Sequence, residues 1–375
     1  MPSPRPAGRL RKSRHSDSAR SGDLALGIDL GATKVMSALV DPDGRIVRES
    51  GRHLHANDGP GGVIATVVRS ARACLESAPY PPRAVGIAVA AQVDPRTGTV
   101  IHAPNLGWRD VPLARRLADE LGGRVYVVND ARAATFAEWR FGAGAGEDDL
   151  FCLFLGTGVG GSAVLGGQLL EGGTHAAGEV GHMTIVSGGR KCHCPNWGCF
   201  ESYVGGWAIG ERAREAVRDD PAAGTALVAR AGTAAAISAQ TVFQEYRTGD
   251  ALSRRLVRDT ERYLTDGAVG VVNAFNPNLL ILGGGLIAGM PEFVPAVEAA
   301  VRARCQPPAA FARVTRARFA EAAPMVGAAA LARARYLSSS TGSRRMRARA
   351  LRTDLSGDPP VRYPKTRVRG SARPR

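Results

Sequence analysis

A pattern of strand, glycine-rich turn and strand occurs twice in this chain of 375 residues and limits the folds that it can adopt. LALGIDLG (24–31) has the character of a buried strand that ends in a glycine turn, and GATKVMSALV (31–40) of a second strand. DLFCLFLGTGVGGSAVLGGQLL (149–170) repeats this order about 126 residues later. Two lobes that each open in this way predict an α/β protein with a cleft between the lobes.

Helix and strand patterns alternate through the rest of the chain. Apolar spacing predicts helices over 63–77, 113–121, 131–142 and 323–337. Short apolar runs predict strands over 84–90, 124–130 and 278–285. The 124–130 strand ends in Asp130, at the point where the next helix begins. An acid in that place is either a helix N-cap or a group presented at the edge of a sheet.

The net charge of +15 arises at the two chain ends. Residues 1–20 carry six Lys or Arg and one Asp, and residues 338–375 carry eleven Lys or Arg and two acids. Residues 21–337 hold 32 basic and 31 acidic side chains, so the body is nearly neutral. Both ends lack the apolar residues needed for a core, and we predict disordered basic tails with no specific nucleic-acid partner.

The cysteine distribution and the absence of long apolar segments indicate the compartment. No apolar stretch follows the basic N-terminus, and no apolar run reaches the roughly 18 residues of a membrane span. Three of the six cysteines are crowded into Cys192, Cys194 and Cys199. In a chain without a secretion signal, this crowding favours a metal site over disulfides. We therefore expect a cytoplasmic protein without a membrane partner.

The glycine turns have the composition of phosphate-binding loops. In the first turn, the residues suited to phosphate and Mg²⁺ are Asp29, Gly31, Thr33 and Lys34. Backbone N–H groups, a hydroxyl and an ammonium group can donate to phosphate oxygens, and a carboxylate can hold Mg²⁺ directly or through water.

Two further glycine clusters fit the same role. The second turn contains Gly156, Thr157 and Gly158, and a strand follows it, which argues against a dinucleotide fingerprint. It also lacks the Gly-Lys-Ser/Thr ending of a Walker A loop. The third cluster is Gly283, Gly284 and Gly285. Together, the three clusters are consistent with a nucleotide that lies across the cleft.

A histidine and three cysteines have the composition of a zinc site. His182 is followed after ten residues by Cys192 and then by Cys194 and Cys199. Three thiolates and one imidazole complete a tetrahedral Zn²⁺ site without an open position, which is typical of structural zinc. His175 and His193 are alternative fourth ligands. Glu179 and Glu201 flank the cluster, so an ordered metal loop could direct both carboxylates into the cleft.

These residues resemble the ROK family of sugar kinases and repressors, within the actin/hexokinase/Hsp70 superfamily. The resemblance is carried by GIDLGATK, APNLGW, Asn129-Asp130-Ala131, LGTGVGGS and the block from Gly178 through CHCPNWGCFES. It extends from about residue 24 to 337, and EWRFG and VGAAALAR point to the glucokinase branch of actinobacteria. The implied fold is a two-lobed, ribonuclease H-like α/β fold.

The resemblance implies a role for individual residues. Asp130 would be the general base, and the other sugar contacts would be Asn105, Glu179, His182 and Glu201. Asp29 would lie near Mg²⁺, the first two glycine turns around the ATP phosphates, and Gly283–Gly285 near the adenosine. The implied domains are an N-terminal lobe (23–130, rejoined by a closing helix at 324–337), a C-terminal lobe (131–323) with a zinc loop (182–199), and basic tails (1–22 and 338–375). The implied assembly is a dimer or tetramer.

The sequence departs from the family pattern at three places, and the loop beside the sugar leaves the substrate open. Ala32 replaces a glycine of the first turn, Ala90-Ala91 replaces the usual Pro-Gly pair of a loop beside the sugar, and Pro195 replaces a glycine of the zinc loop. We expect an ATP-dependent hexose kinase, with glucose as the first choice. N-acetylmannosamine, N-acetylglucosamine, mannose or fructose are alternative acceptors, and polyphosphate is an alternative donor. A sugar-sensing repressor is a further alternative, but only about 23 residues precede the first predicted strand.

Overall fold

The computed structural model describes residues 23–55, 59–76, 78 and 81–340. The tails predicted at 1–22 and 338–375 lie outside the described residues, except that 338–340 form the end of the last helix. The first half of the chain contains β1 Ala25–Leu30, β2 Lys34–Val40, β3 Ile46–Glu49, β4 His53–Leu54, α1 Pro60–Leu75, β5 Ala84–Val89, β6 Gln92–Asp94, β7 Thr99–Ala103, β8 Trp108–Val111, α2 Leu113–Leu121, β9 Val125–Asn129 and α3 Asp130–Phe141.

The second half repeats the opening order and then adds helices. Its elements are β10 Leu150–Leu155, β11 Val159–Leu165, β12 Gln168–Leu169, α4 Glu201–Val204, α5 Gly206–Asp219, α6 Thr225–Ala231, α7 Ala239–Thr248, α8 Ala251–Phe275, β13 Leu279–Gly283, α9 Gly285–Gly289, α10 Phe293–Arg304, β14 Arg313–Arg316 and α11 Ala323–Ser340. One-turn 3₁₀ helices at Pro104–Leu106 and Val180–His182 carry two of the predicted site residues.

Two mixed sheets confirm the predicted α/β class. The first has the order β3-β2-β1-β5-β9 with β4 beside β2, and the second has the order β12-β11-β10-β13-β14. In each sheet an antiparallel hairpin is extended by parallel strands, since β1 pairs with β2 and β5 as β10 pairs with β11 and β13. The carboxyl ends of β1 and β10 both lead into the predicted glycine turns, so the repeated pattern in the sequence is a repeated sheet.

Helices α3 and α11 pack closely through small residues. α11 contacts α3, β1 and β5, and α3 also contacts β10 and β11 of the second sheet. Ala88, Ala133 and Ala328 form one of the buried clusters between these elements. Because Gly86 lies against the Ala328 carbonyl, a Cβ at this position would collide with the α11 backbone. Small side chains therefore set how near the closing helix approaches the first sheet.

Several local predictions need correction. Asn129, rather than Asp130, caps α3, because its side chain accepts a hydrogen bond from Arg132 N at 3.1 Å, and Asp130 is the first helical residue. The predicted 278–285 strand ends at Gly283, and α9 begins at Gly285. Strand β2 begins at Lys34 rather than at the preceding turn, and α11 extends to Ser340. The small β6-β7-β8 sheet had no prediction.

Among the described residues, no helix is both long enough and apolar enough to cross a membrane.

Candidate active site

Asp130 lies where β9 meets α3, between the two sheets. Its Oδ1 accepts a hydrogen bond from Ala131 N at 2.8 Å. The side chain keeps part of its surface open to solvent, while the protein atoms packed around the carboxyl group raise its pKa. A carboxyl group that is partly exposed to solvent and otherwise surrounded by protein atoms is typical of the wall of a cleft. A carboxyl group whose pKa is raised by burial is a stronger base than an ordinary carboxylate, so it is suited to accept a proton.

Asp29 and Glu179 share this electrostatic environment. The pKa of Asp29 is raised to about 7, chiefly by burial and also by the charge of Asp130, while Lys34 opposes the rise. Burial also raises the pKa of Glu179, with His182 opposing and Asp130 adding to the rise. The structure therefore brings Asp29, Asp130 and Glu179 into one acidic region, although they come from three separate segments of the chain.

The first glycine turn is closed by its own backbone. Gly31 N donates to Lys34 O at 2.9 Å, and His55 N donates to Thr33 O at 3.0 Å. The Lys34 ammonium lies 3.4 Å from Glu321 Oε2, on the 3₁₀ turn before α11. The N–H of Gly31 and the charge of Lys34 thus already have partners within the protein, which the sequence did not predict.

The second glycine turn is joined to Glu201 and to α5. Gly156 N donates to Gly158 O at 2.9 Å, and Val159 N donates to Glu201 Oε2 at 2.8 Å. Gly158 lies so near the Glu201 carboxylate that a Cβ at this position would collide with it. Glu201, the first residue of α4, therefore lies directly behind the turn that is the candidate phosphate loop.

The third glycine cluster adjoins the second turn. Gly283 ends β13, which pairs in parallel with β10, and Gly284 has a φ of 90° and packs against the Leu155 backbone. Only glycine adopts this conformation in such tight contact without strain. Gly285 then begins α9. The second and third clusters thus form one continuous surface at the carboxyl end of the second sheet.

Asn105 is separate from the carboxylates. It is exposed on the 3₁₀ turn Pro104–Leu106, between β7 and β8. Among the described residues, no hydrogen bond joins it to Asp130, Glu179 or Glu201. The part of the chain that the structure describes thus shows no direct polar contact between Asn105 and these three carboxylates, and the place of Asn105 in the site stays a prediction.

His182 and the three cysteines converge in a compact cluster. One ligand atom from each of His182, Cys192, Cys194 and Cys199 lies within 4.8 Å of all the others. The distance between Cys194 Sγ and Cys199 Sγ is 3.6 Å, and that between His182 Nδ1 and Cys192 Sγ is 3.7 Å. A tetrahedral zinc with Zn–S bonds of about 2.3 Å has edges of about 3.8 Å, so this donor set fits Zn²⁺ in both chemistry and size.

The two alternative histidines have other partners. His175 Nδ1 lies 3.0 Å from Glu171 Oε2, and the His193 ring is stacked on the Trp207 ring at 3.9 Å between centroids. Of the three histidines considered, the structure thus brings only His182 into the cysteine cluster. The backbone of the loop forms isolated antiparallel β-bridges between Thr184 and Cys199 and between Lys191 and Trp197, which stabilise its conformation.

Comparison with known proteins assigns the family. The model of the ROK family matches residues 25–335, which is most of the chain. The chain belongs to the ROK family. It is 33% identical over 267 residues to a glucokinase from Streptomyces coelicolor, covering 70% of this chain and 82% of that protein.

Relatives within the ROK family have different functions. A ROK glucokinase from Streptomyces griseus, solved in complex with glucose and AMPPNP, superposes with a TM-score of 0.74 at 32% identity, covering 83% of this chain and 99% of that one. A xylose repressor from Bacillus subtilis is 25% identical over 287 residues, covering 76% of this chain and 70% of the repressor. The two-lobed actin/hexokinase-like fold expected from the sequence is therefore confirmed.

Two residues that contact the predicted site residues carried no recognisable motif in the sequence. Trp207 contacts Glu201, and Glu321 contacts Lys34, but each lies in a segment without a recognisable motif. Glu321 is 287 positions from Lys34, so local spacing could not have indicated the pair. Trp207 follows Gly205-Gly206, and this glycine pair was the only local sign that the backbone passes near another element there.

Proposed function

We propose that this protein is an ATP-dependent hexose kinase that converts glucose to glucose 6-phosphate, with Asp130 as the general base. The observation that carries the proposal is the position of Asp130, a carboxyl group of raised pKa between the two sheets and close to Asp29 and Glu179. The similarity to the Streptomyces glucokinases supports glucose as the acceptor.

The side chains suit an in-line phosphoryl transfer. Asp130 would accept the proton of the sugar hydroxyl as its oxygen attacks the γ-phosphorus, the new O–P bond would form, and the bond to the leaving ADP would break. Glu179, His182, Glu201 and Asn105 would hold the other hydroxyls. Asp29 would hold Mg²⁺, which offsets phosphate charge when bound. The glycine clusters Gly156–Gly158 and Gly283–Gly285 would contact the nucleotide. Thr33 would contact the phosphates, and Gly31 and Lys34 would do so by exchanging their present partners, Lys34 O and Glu321, for phosphate oxygens.

The metal cluster would be structural. We propose that His182, Cys192, Cys194 and Cys199 hold one Zn²⁺ and thereby order the loop between Glu179 and Glu201. Changing Cys194 to Ser should release the zinc and lower the melting temperature, and metal analysis of the purified protein measures this directly. Cys305→Ser is the matched control, because Cys305 is a buried cysteine at the end of α10, outside the cluster. Equal zinc content in both variants would remove the zinc proposal.

A coupled assay of ADP release tests the function. The purified protein is incubated with Mg-ATP and a panel of glucose, mannose, fructose, N-acetylglucosamine and N-acetylmannosamine, and polyphosphate replaces ATP in a parallel series. We expect the highest kcat/KM for glucose with ATP. Turnover of another sugar would support the kinase proposal and would contradict glucose as the substrate.

A sugar-sensing regulator is the second candidate, because the Bacillus xylose repressor is among the relatives. Sugar binding by calorimetry without turnover for any sugar or donor would favour it. We also propose a homodimer or homotetramer, which light scattering of the purified protein measures.

A further inference from the structure

Both oxygens of the Glu201 carboxylate are held by donors of the protein. Oε2 accepts from Val159 N at 2.8 Å, and Oε1 accepts from the indole Nε1 of Trp207 at 3.1 Å. A carboxylate held at both oxygens has a defined plane, so its remaining lone pairs have fixed directions. Bonds to a charged acceptor are also stronger than bonds between neutral groups.

Trp207 is itself attached to the second glycine turn. It stands in the first turn of α5, and its backbone N donates to Thr157 O at 3.1 Å. The neighbouring Gly206 N donates to Gly156 O at 3.0 Å. Two backbone hydrogen bonds therefore join the start of α5 to the candidate phosphate loop, and Glu201 accepts one hydrogen bond from each of these two segments.

The ring of Trp207 also contacts the metal loop. His193 lies between Cys192 and Cys194, and its imidazole is stacked on the indole at 3.9 Å with an interplanar angle of 22°. His193 is not one of the four clustered donors, so its ring is available for this contact. A continuous series of contacts therefore runs from the cysteine cluster through His193 and Trp207 to Glu201.

We propose that Trp207 is a positioning residue for Glu201, and that the His193–Trp207 stack transmits the order of the zinc loop to the sugar site and the phosphate turn. The proposal rests on the proposed function of Glu201 as a sugar contact. According to this proposal, the zinc loop contributes to sugar affinity as well as to stability. The contact is made by the His193 ring, which is not one of the four clustered donors.

Trp207→Phe tests the hydrogen bond, because it keeps an aromatic ring for His193 and removes the donor to Glu201. We expect KM for the sugar to rise about tenfold or more, as for a lost bond to a charged group, with a smaller change in kcat. Trp139→Phe is the matched control, since Trp139 Nε1 donates to Glu147 O at 2.8 Å, away from the site. A sugar KM within twofold of the unaltered protein in Trp207→Phe, with the fold intact, would overturn the proposal.

His193 variants test the stacking. His193→Ala should raise sugar KM severalfold without changing zinc content, and His193→Phe should restore it because the stack is retained. In the double variant His193→Ala/Trp207→Phe, the effects should not add, since both act through one series of contacts. Full additivity, or zinc loss in His193→Ala, would contradict the assignment.

A readout without turnover separates this proposal from the proposed function. The fluorescence of Trp207 is obtained as the difference between the unaltered protein and Trp207→Phe, and is followed while a chelator removes the zinc. We expect it to change in the unaltered protein and to stay constant in His193→Ala. If the unaltered protein phosphorylates no sugar but shows this change, the kinase proposal fails and the contact series remains. An unaltered Trp207 signal upon zinc removal would disprove the coupling.

Discussion

At the scale of single residues, the cleft carboxyl groups differ in what surrounds them. Asp130 receives one backbone hydrogen bond, while Glu201 receives two hydrogen bonds at separate oxygens. Burial raises the pKa of Asp130 in spite of that bond, because desolvation disfavours the ionised form. A strongly held carboxylate is suited to binding a hydroxyl, and a weakly held one of raised pKa is suited to accepting a proton.

Asp130→Asn should lower kcat by about 10²–10⁴-fold, because the amide cannot accept the hydroxyl proton. The sugar Kd should stay within about tenfold, since the base acts mainly in the transition state. Steady-state kinetics and calorimetry measure the two quantities. Asp119→Asn, at an exposed acid of α2, serves as the control. Near-normal turnover in Asp130→Asn would exclude Asp130 as the base.

Asp29 should make stability depend on pH. Its pKa is raised from 3.8 to about 7, so the folded protein disfavours its ionised form, and its contribution to stability falls as the pH rises from about 4 to about 7. Asp29→Asn stays neutral, so its gain in melting temperature over the unaltered protein should be larger at pH 8 than at pH 5. Thermal unfolding without nucleotide measures this gain. A gain that is equal at both pH values, or larger at pH 5, would contradict the raised pKa.

At the scale of elements, the stability of the fold depends on the close approach of α11 to the first sheet. Because the α11 backbone lies against Gly86, Gly86→Ala should lower the free energy of unfolding by about 3 kcal/mol or more, through overpacking. Gly270→Ala is the matched control, since Gly270 is exposed within α8 and a Cβ there meets open space. It should stabilise the protein by up to about 1 kcal/mol. Chemical denaturation measures both changes, and equal effects would refute this view of the packing.

Element boundaries were predictable where the local signal was strong. α2 spans 113–121 as predicted, because its apolar residues recur at helical spacing. β13 was predicted too long because Gly284 and Gly285 follow it directly, and glycine alone does not show where a strand becomes a helix. The β6-β7-β8 sheet was missed because its strands are short and have few apolar residues between turns.

At the scale of the whole molecule, the net charge is concentrated at the two ends of the sequence. Residues 21–337 are nearly neutral, while the two ends carry almost all of the net charge of +15. The full chain should therefore bind a heparin column at low salt and elute as the salt concentration rises. A variant limited to residues 23–340 should pass through the column with unchanged kcat. Retention of that variant would place the polyanion affinity on the folded body instead.

The sequence by itself determined the features that lie within one strand and its following turn. The α/β class, the repeated glycine turns, the acid at the end of β9 and the crowding of the cysteines all follow from spacing over a few residues. The sequence also indicated His182 as the first choice beside the three cysteines, and the structure brings these four residues together. The tertiary structure alone decided other partners that meet across long separations, which are Glu321 beside Lys34 and Trp207 beside Glu201. These pairings depend on the paths of loops between packed elements, and side-chain periodicity does not specify those paths.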